Sequence, residues 1–527
     1  MRTSLHHMLE ERGSSDGDGP ALTYRDRTWT YAELWDTARR VGGGLTALGL
    51  VRDDRVAVFL DKRLETVASI FGTSAAGGVF VPVNPLLRPQ QVGYILRDCS
   101  VSIVITTRER LQGLMDELTN CPSLEHVVVV GDEPDDGAQG ATGRSMRFAT
   151  HRWIELTSGA DEPVPHSAVD LDIGAILYTS GSTGMPKGVV LSHRNLIVGG
   201  ESVSQYIGNA SDDVILSALP LSFDAGFSQL TTAFNVGAHV VLMNYLLPVD
   251  VVRLCARHRV TGLTCVPPLW IQIAEQEWPE DVGRRLRYFA NTGGRMPKPT
   301  LDKLRSLFPM AKPFLMYGLT EAFRSTYLDP SQVDQRPDSI GKAIPNAEIL
   351  VVRPDGSRCE PGEEGELVHR GPLVALGYWN DPERTAERFR PTPGQDSSWR
   401  TPEIAVWSGD TVVSDEEGYL FFVGRADEMI KSSGYRVSPT EVEEAAYATG
   451  LVRDVVALGL EDAVLGQRIA LVATPKHDTV EGDDVITAMK RRLPLYMVPS
   501  LVDLRDEIPR SPNGKFDRAS IREQFRR

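Results

Sequence analysis

Residues 179–188, Thr-Ser-Gly-Ser-Thr-Gly-Met-Pro-Lys-Gly, put three glycines, four hydroxyls and one lysine into ten residues, directly after the apolar run 174–178. Glycines let backbone N–H groups approach anionic oxygens, and hydroxyls and a lysine add donors and charge, so the composition suits a phosphate cradle. It equally suits a plain linker. A Walker loop needs lysine straight after glycine and a hydroxyl residue after that lysine. Here Pro186 precedes Lys187 and Gly188 follows it, which excludes that class on spacing; nor is the stretch a dinucleotide fingerprint. Four further stretches carry residues able to do chemistry: YGLTE (317–321), SGD (408–410), GRADEMIKSSGYRV (424–437) and SPNGKFDR (511–518). Singly, each has an ordinary reading: a Thr-Glu helix start, a turn at Asp410, a surface arginine at 436, and a β-turn with an exposed lysine at 515.

Such residues must be held by a sizeable scaffold. At 527 residues the chain exceeds what one hydrophobic core usually supports, so two or three domains are expected. Its 56 Lys+Arg against 71 Asp+Glu give a formal charge of -15 with no basic cluster, which argues against nucleic acid or a membrane surface as partner. Cys99, Cys121, Cys255, Cys265 and Cys359 are scattered and odd in number, and they lack metal-type spacing. They read as reduced, mostly buried thiols of a soluble, cytoplasmic enzyme. The N-terminus carries charge where a signal peptide needs an apolar core, and the run 70–83 is broken by glycines and a proline.

Short apolar runs at 55–60, 79–84, 101–107 and 126–130 alternate with helical periodicity such as YAELWDTARRVGGGLTALG, which predicts an α/β layered unit. The acidic, Gly/Pro-rich stretches 132–143 and 158–170 read as solvent loops. Alternation resumes at 213–220, 239–243, 262–268 and 314–318; after about Ser339, EILVVRPDG and GELVHRG suggest a small β-rich unit. Beyond residues 424–437, a helix at PTEVEEAAYATG, strands DVVALGL and RIALVAT, and a helix ending MKRRL suggest an autonomous domain. The fold expected is α/β, with a large N-terminal multi-subdomain region, a small β-rich unit and a small α+β C-terminal domain.

In this order, YTSGSTGMPKG, YGLTE, SGD, GRADEMIKSSGYRV and SPNGKFDR resemble, across nearly the whole chain, the motifs of the AMP-forming adenylate-forming superfamily. That superfamily comprises acyl-CoA synthetases, nonribosomal peptide synthetase adenylation domains and firefly luciferase. The resemblance implies that a carboxylate and ATP give an acyl-adenylate and pyrophosphate, after which a thiol takes the acyl group and AMP leaves. It implies that Thr179, Ser180, Gly181, Ser182, Thr183, Gly184 and Lys187 hold the β- and γ-phosphates, with Tyr317 and Gly318 against adenine and Thr320 at the α-phosphate. Glu321 then offers the hard oxygen that Mg²⁺ prefers; Asp410 takes the ribose hydroxyls, and Arg425 and Arg436 lie near the nucleotide. Lys515 bridges the carboxylate and the α-phosphate, offsetting their repulsion. Asp427 is the hinge between a core domain, 1–426, and a mobile domain, 427–527. A non-catalytic nucleotide-binding regulator could lose Lys187, Glu321 or Lys515; all are present.

The acid is read from LPLSFDAGFSQL (219–230), where many CoA ligases of the family resemble PLFH and amino-acid-activating members carry an aspartate. A carboxylate such as Asp224 in an apolar pocket is costly unless paired, so it points to a substrate ammonium; a helix cap or loop aspartate is the alternative. The resemblance puts the pocket at Phe223, Asp224, Ala225, Ser228, Cys265, Ala290, Thr292, Met316, Arg324 and Ser325. Arg324 either meets a polar tail or pairs with Asp224, and Cys265 reads as packing. The expectation is an amino acid loaded onto the phosphopantetheine thiol of a separate carrier protein, with ligation of a fatty or aryl acid to CoA as the alternative.

Overall fold

The computed structural model describes residues 2–15, 17–131, 147–158, 168–179, 186–294, 296, 298–396, 398–425, 429–509, 516 and 518–525, and only the backbone of Pro268, Pro299, Gly424, Arg425, Thr440 and Ala519. Most of the solvent-loop stretches 132–143 and 158–170 therefore lie outside the described residues.

Three sheets organise the chain. In the eight-stranded one, the apolar runs become parallel strands Arg55–Phe59, Val79–Pro82, Ile103–Thr107 and His126–Val130. Val79–Pro82 pairs parallel with Ile173–Thr179, which turns back antiparallel as Lys187–Ser192, and Gly377–Tyr378 closes that edge. The 14-stranded sheet has a parallel centre, Val214–Ser217, His239–Leu242, Gly262–Cys265, Tyr288–Asn291 and Lys312–Tyr317. These strands are almost continuously apolar because they are covered on both faces.

The β-rich stretch after Ser339 does not stand apart as a separate sheet. Ser339–Ala343 pairs with Thr326–Leu328 on one side and Leu420–Arg425 on the other, so these antiparallel strands extend the parallel sheet. Its side-chain pattern alone could not show this, since continuity lies in backbone hydrogen bonds.

Helices Tyr31–Ala47, Leu64–Ala75, His193–Ile207 and Asp224–Val236 share one core with residues of both large sheets. Leu64–Ala75 is buried from Thr66 to Ala75 and Asp224–Val236 from Asp224 to Phe234, as befits helices covered all round. Thr30 and Glu33 form a capping box that starts the first of these helices. The third, five-stranded sheet spans Ile430–Leu504 and has its own core, including Ile430, Val442, Val455, Leu471 and Met489. All five cysteines are free thiols, and no helix among the described residues is long and apolar enough to cross a membrane.

Candidate active site

The hairpin of Ile173–Thr179 and Lys187–Ser192 sets Thr179 opposite Lys187, at the two ends of the glycine loop. Ser180, Gly181, Ser182, Thr183 and Gly184 lie outside the described residues. Lys187 Nζ donates to Glu321 Oε1 and to the Tyr378 hydroxyl, both at 2.8 Å, and the ammonium stands 4.2 Å from the Tyr378 ring centroid. The Tyr378 hydroxyl donates to the same Glu321 oxygen at 2.7 Å. Tyr378 reaches it because its strand pairs with Lys187–Ser192, while Glu321 sits on a single 3₁₀ turn, Thr320–Ala322, just beyond Lys312–Tyr317. The expected Thr-Glu helix start is therefore this short turn.

Burial alone would raise the Glu321 carboxyl, but the charges of Lys187 and Arg436 and the bonds from Lys187 and Tyr378 hold it well below the usual carboxylate range. Burial lowers the Lys187 ammonium; Glu321 partly offsets this, while Arg436 and Arg388 add to it. Glu321 Oε2 and Thr179 Oγ1 are buried without a partner among the described residues. An anionic oxygen and a hydroxyl left unpaired in a buried site fit a divalent cation and a phosphate.

At the nucleoside end the Tyr317 hydroxyl meets Asp410 Oδ2 at 2.5 Å. Ser408, Gly409 and Asp410 form no turn but lie within the strand Ile404–Ser414, where Gly409 sits at φ +70° and a side chain would run into Arg388 as well as strain the backbone. Arg425 stands opposite Asp410 in the strand ladder; its side chain lies outside the described residues. Thr320 is partly exposed beside Glu321, and Gly318 packs closely on the Arg324 backbone.

The acid end is built around a buried ion pair. Asp224 is the first residue of its helix, and a Cβ on Gly226 would fall 1.9 Å from the Pro220 carbonyl oxygen, so glycine permits the close approach of helix and loop. Arg324 Nη1 lies 3.3 Å from Asp224 Oδ2, with Arg324 3% and Asp224 8% exposed. Asp224 also accepts from the Ala225 backbone N–H; burial raises its carboxyl against the pull of Arg324. Phe323, at φ +55° and with its ring against Gly199, reverses the chain between Glu321 and Arg324. Of the two roles left open for Arg324, the structure shows the pairing with Asp224, so the aspartate expected to meet an ammonium already faces a guanidinium.

A cavity of about 20 Å³ is lined by Ala225, Ser228, Thr232, Tyr288, Met316 and Arg324, among others. Of the expected pocket residues, Ala225, Ser228, Met316 and Arg324 line it. Ser325 is bound through its hydroxyl to His369 Nδ1 at 3.0 Å, and burial pushes that imidazole down to about 3. Cys265 and Ala290 are fully buried core residues, and burial raises the Cys265 thiol. Thr292 is 3% exposed and its backbone N–H bonds the Cys265 carbonyl.

The small domain presents Gly434, Tyr435 and Arg436 to this opening. Gly434 packs on Val266, and the Tyr435 ring meets Phe223 edge-on at 5.1 Å and stacks on Tyr496 at 3.8 Å. Arg436 is close enough for its charge to act on Lys187, Glu321 and Tyr378. The Arg88 guanidinium donates to the Lys490 and Leu493 carbonyls, and Gln91 to Glu441, whose carboxyl burial pushes up to about 7. Asp427 and Lys515 lie outside the described residues.

Sequence reasoning missed Tyr378, Arg388 and Lys62. Tyr378 stands in the Gly-Tyr-Trp-Asn stretch 377–380, whose aromatic pair beside a glycine was the available signal. Arg388 closes an ordinary amphipathic helix and offered none. Lys62 donates to the carbonyls of Ser217 and Leu219, at the start of the loop leading to Asp224, and burial lowers it to about 7. A neutral amine has two hydrogens, enough for both bonds.

A buried lysine–glutamate pair at a glycine loop and a tyrosine–aspartate pair beyond it, beside a C-terminal sheet with its own core, suit the binding of an anionic nucleotide. The AMP-binding enzyme family matches residues 9–379 and its C-terminal domain residues 441–515, and the chain belongs to that family. It is 28% identical over 552 residues to the long-chain-fatty-acid–CoA ligase of Escherichia coli O157:H7, covering 99% of this chain and 95% of that one. It is 28% identical over 530 residues to tyrocidine synthase 2 of Brevibacillus parabrevis, covering 98% of this chain and 14% of that one. Among solved structures, the o-succinylbenzoate CoA synthetase double mutant of Bacillus subtilis, bound with its product analogue, superposes with a TM-score of 0.82 at 25% identity, covering 99% of this chain and 98% of that one. The protein is an AMP-forming acid–thiol ligase.

Proposed function

We propose that this ligase activates a carboxylic acid other than an α-amino acid and passes it to CoA. The observation that carries the reading is the Asp224–Arg324 pair, in which the carboxylate that would meet an ammonium already faces a guanidinium. The E. coli CoA ligase, covered over 95% of its length, supports CoA as the acceptor; a carrier-protein thiol is the competing arm of the test.

In the first half-reaction a carboxylate oxygen attacks the α-phosphorus, the bond from that phosphorus to the bridging oxygen breaks, and pyrophosphate leaves. Two anions meet, so cationic positioning dominates. Lys187 exchanges Glu321 for the β- and γ-phosphates, with Thr179 opposite it in the hairpin. Tyr378 retains Glu321 in place as Lys187 departs. Glu321 Oε2 would hold Mg²⁺, which would supply neutralisation of phosphate charge. Tyr317 and Gly318 border adenine, Thr320 donates to the α-phosphate, Asp410 accepts from the ribose hydroxyls, and Lys515 bridges the two reactants.

In the second half-reaction the thiol sulfur attacks the acyl carbon, AMP leaves and the thiol proton passes to solvent. Domains 1–426 and 427–527 move about Asp427 between the two, so that Lys515 serves the first and segment 433–437 faces the site in the second. The packing of Gly434, Tyr435 and Arg436 against the core supports the latter assignment.

The test is carboxylate-dependent exchange of labelled pyrophosphate into ATP, followed by thioester formation with CoA against apo and holo carrier proteins. Exchange with α-amino acids alone, or transfer to holo carrier protein alone, refutes the respective part.

A further inference from the structure

Arg324 spends one nitrogen on Asp224, yet its Nε is buried and unpartnered among the described residues. The residue is 3% exposed and lines the cavity of about 20 Å³, room for about one water molecule. A buried guanidinium N–H without an acceptor is costly, so the site is complete only when something accepts from it. The neighbouring lining is mixed: Ser228 and Thr232, whose hydroxyls lie 3.4 Å apart, face the cavity together with Ala225 and Met316.

Charge decides which acceptor fits. Asp224 and Arg324 cancel, so a second carboxylate or an ammonium brought here would be an uncompensated buried charge. An all-hydrocarbon tail would bring no charge but, in filling a cavity with room for about one water, would displace the water that could otherwise accept from Nε. A single neutral acceptor meets both demands. Resting on the adenylation reading above, we infer that the substrate acid carries a neutral oxygen substituent, a hydroxyl or oxo group, that accepts from Arg324, and that Arg324 determines specificity for it. The Asp224 carboxylate holds Arg324 in place, and the hydroxyls of Ser228 and Thr232 offer further partners.

The experiment compares pyrophosphate exchange for matched acids, of short to medium chain and of the benzoate type. Each hydroxy or oxo acid is set against its hydrocarbon, amino and dicarboxylate counterparts. On the unaltered chain the hydroxy or oxo member should lead its hydrocarbon counterpart in kcat/KM by about 10- to 100-fold, with the charged members lower still. The double variant Asp224→Asn/Arg324→Met, which removes both charges together, should reverse the order in favour of the hydrocarbon acid. Equal or better use of the hydrocarbon acid by the unaltered chain overturns the inference whether or not the variant folds, as does an unchanged order in a folded variant. Exchange supported only by hydrocarbon acids overturns this inference and leaves the adenylation reading standing; no exchange with any acid overturns both.

Discussion

Replacing Lys187 by methionine tests whether the pair at the phosphate end is also a structural element of the resting site. The side chains of Lys187 and Glu321 are 11% and 6% exposed, so neither charge is well solvated. Removing one partner of such a pair strands the other, at a cost of about 3–5 kcal/mol. The Tyr378 hydroxyl and the Arg436 charge still act on Glu321, which puts the expected loss near the lower end, about 3 kcal/mol. In the double variant Lys187→Met/Glu321→Gln both charges are gone and the amide oxygen still accepts from Tyr378. Its stability should return to within about 1 kcal/mol of the unaltered chain. Urea unfolding of the large domain without nucleotide reads these values, and pyrophosphate exchange is run beside it. Both variants should have lost exchange, so the recovery of stability without activity separates the two roles. A Lys187→Met chain as stable as the original, or a double variant weaker than Lys187→Met, would refute the reasoning.

Tyr378→Phe removes a hydroxyl that donates to one charged group and accepts from another; adenylation should fall by about 10- to 100-fold, measured as pyrophosphate exchange, while thioester formation from a supplied acyl-adenylate changes little. Lys515→Ala should abolish exchange yet spare that second half-reaction, and equal loss of both contradicts the proposed division of labour. Burial where the small domain meets Gln91 raises Glu441 to about 7, with Glu444 adding to the rise and the bond from Gln91 opposing it, so the docked position on balance favours its protonated form. Docking should therefore weaken as pH rises from the ordinary glutamate range to about 7 and stay weakened above it. Single-turnover thioester formation across that window should follow this slope, and Glu441→Gln should flatten it.

Much of the scaffold is legible in the chain itself. Runs such as RVAVFL and HVVVV became strands because a parallel strand buried on both faces needs continuous apolar residues. The ordered motifs placed Lys187, Tyr317, Glu321 and Asp410 on one nucleotide, and the fold brings Lys187 to Glu321 and Tyr317 to Asp410. Singly these residues have ordinary readings; it is the order of the motifs, matched to the family they resemble, that groups them. What only the tertiary structure decided is pairing across distance. Asp224 and Arg324 are a hundred residues apart, and sequence leaves open whether the aspartate meets a substrate or an arginine. Tyr378 reaches Glu321 only through the strand edge that Gly377–Tyr378 closes. The strands after Ser339 join the parallel sheet by backbone bonds that side-chain patterns do not encode. A residue's type states which charge or hydrogen bond it must satisfy; the packed fold selects the partner, because burial makes an unsatisfied group costly and leaves room for few candidates.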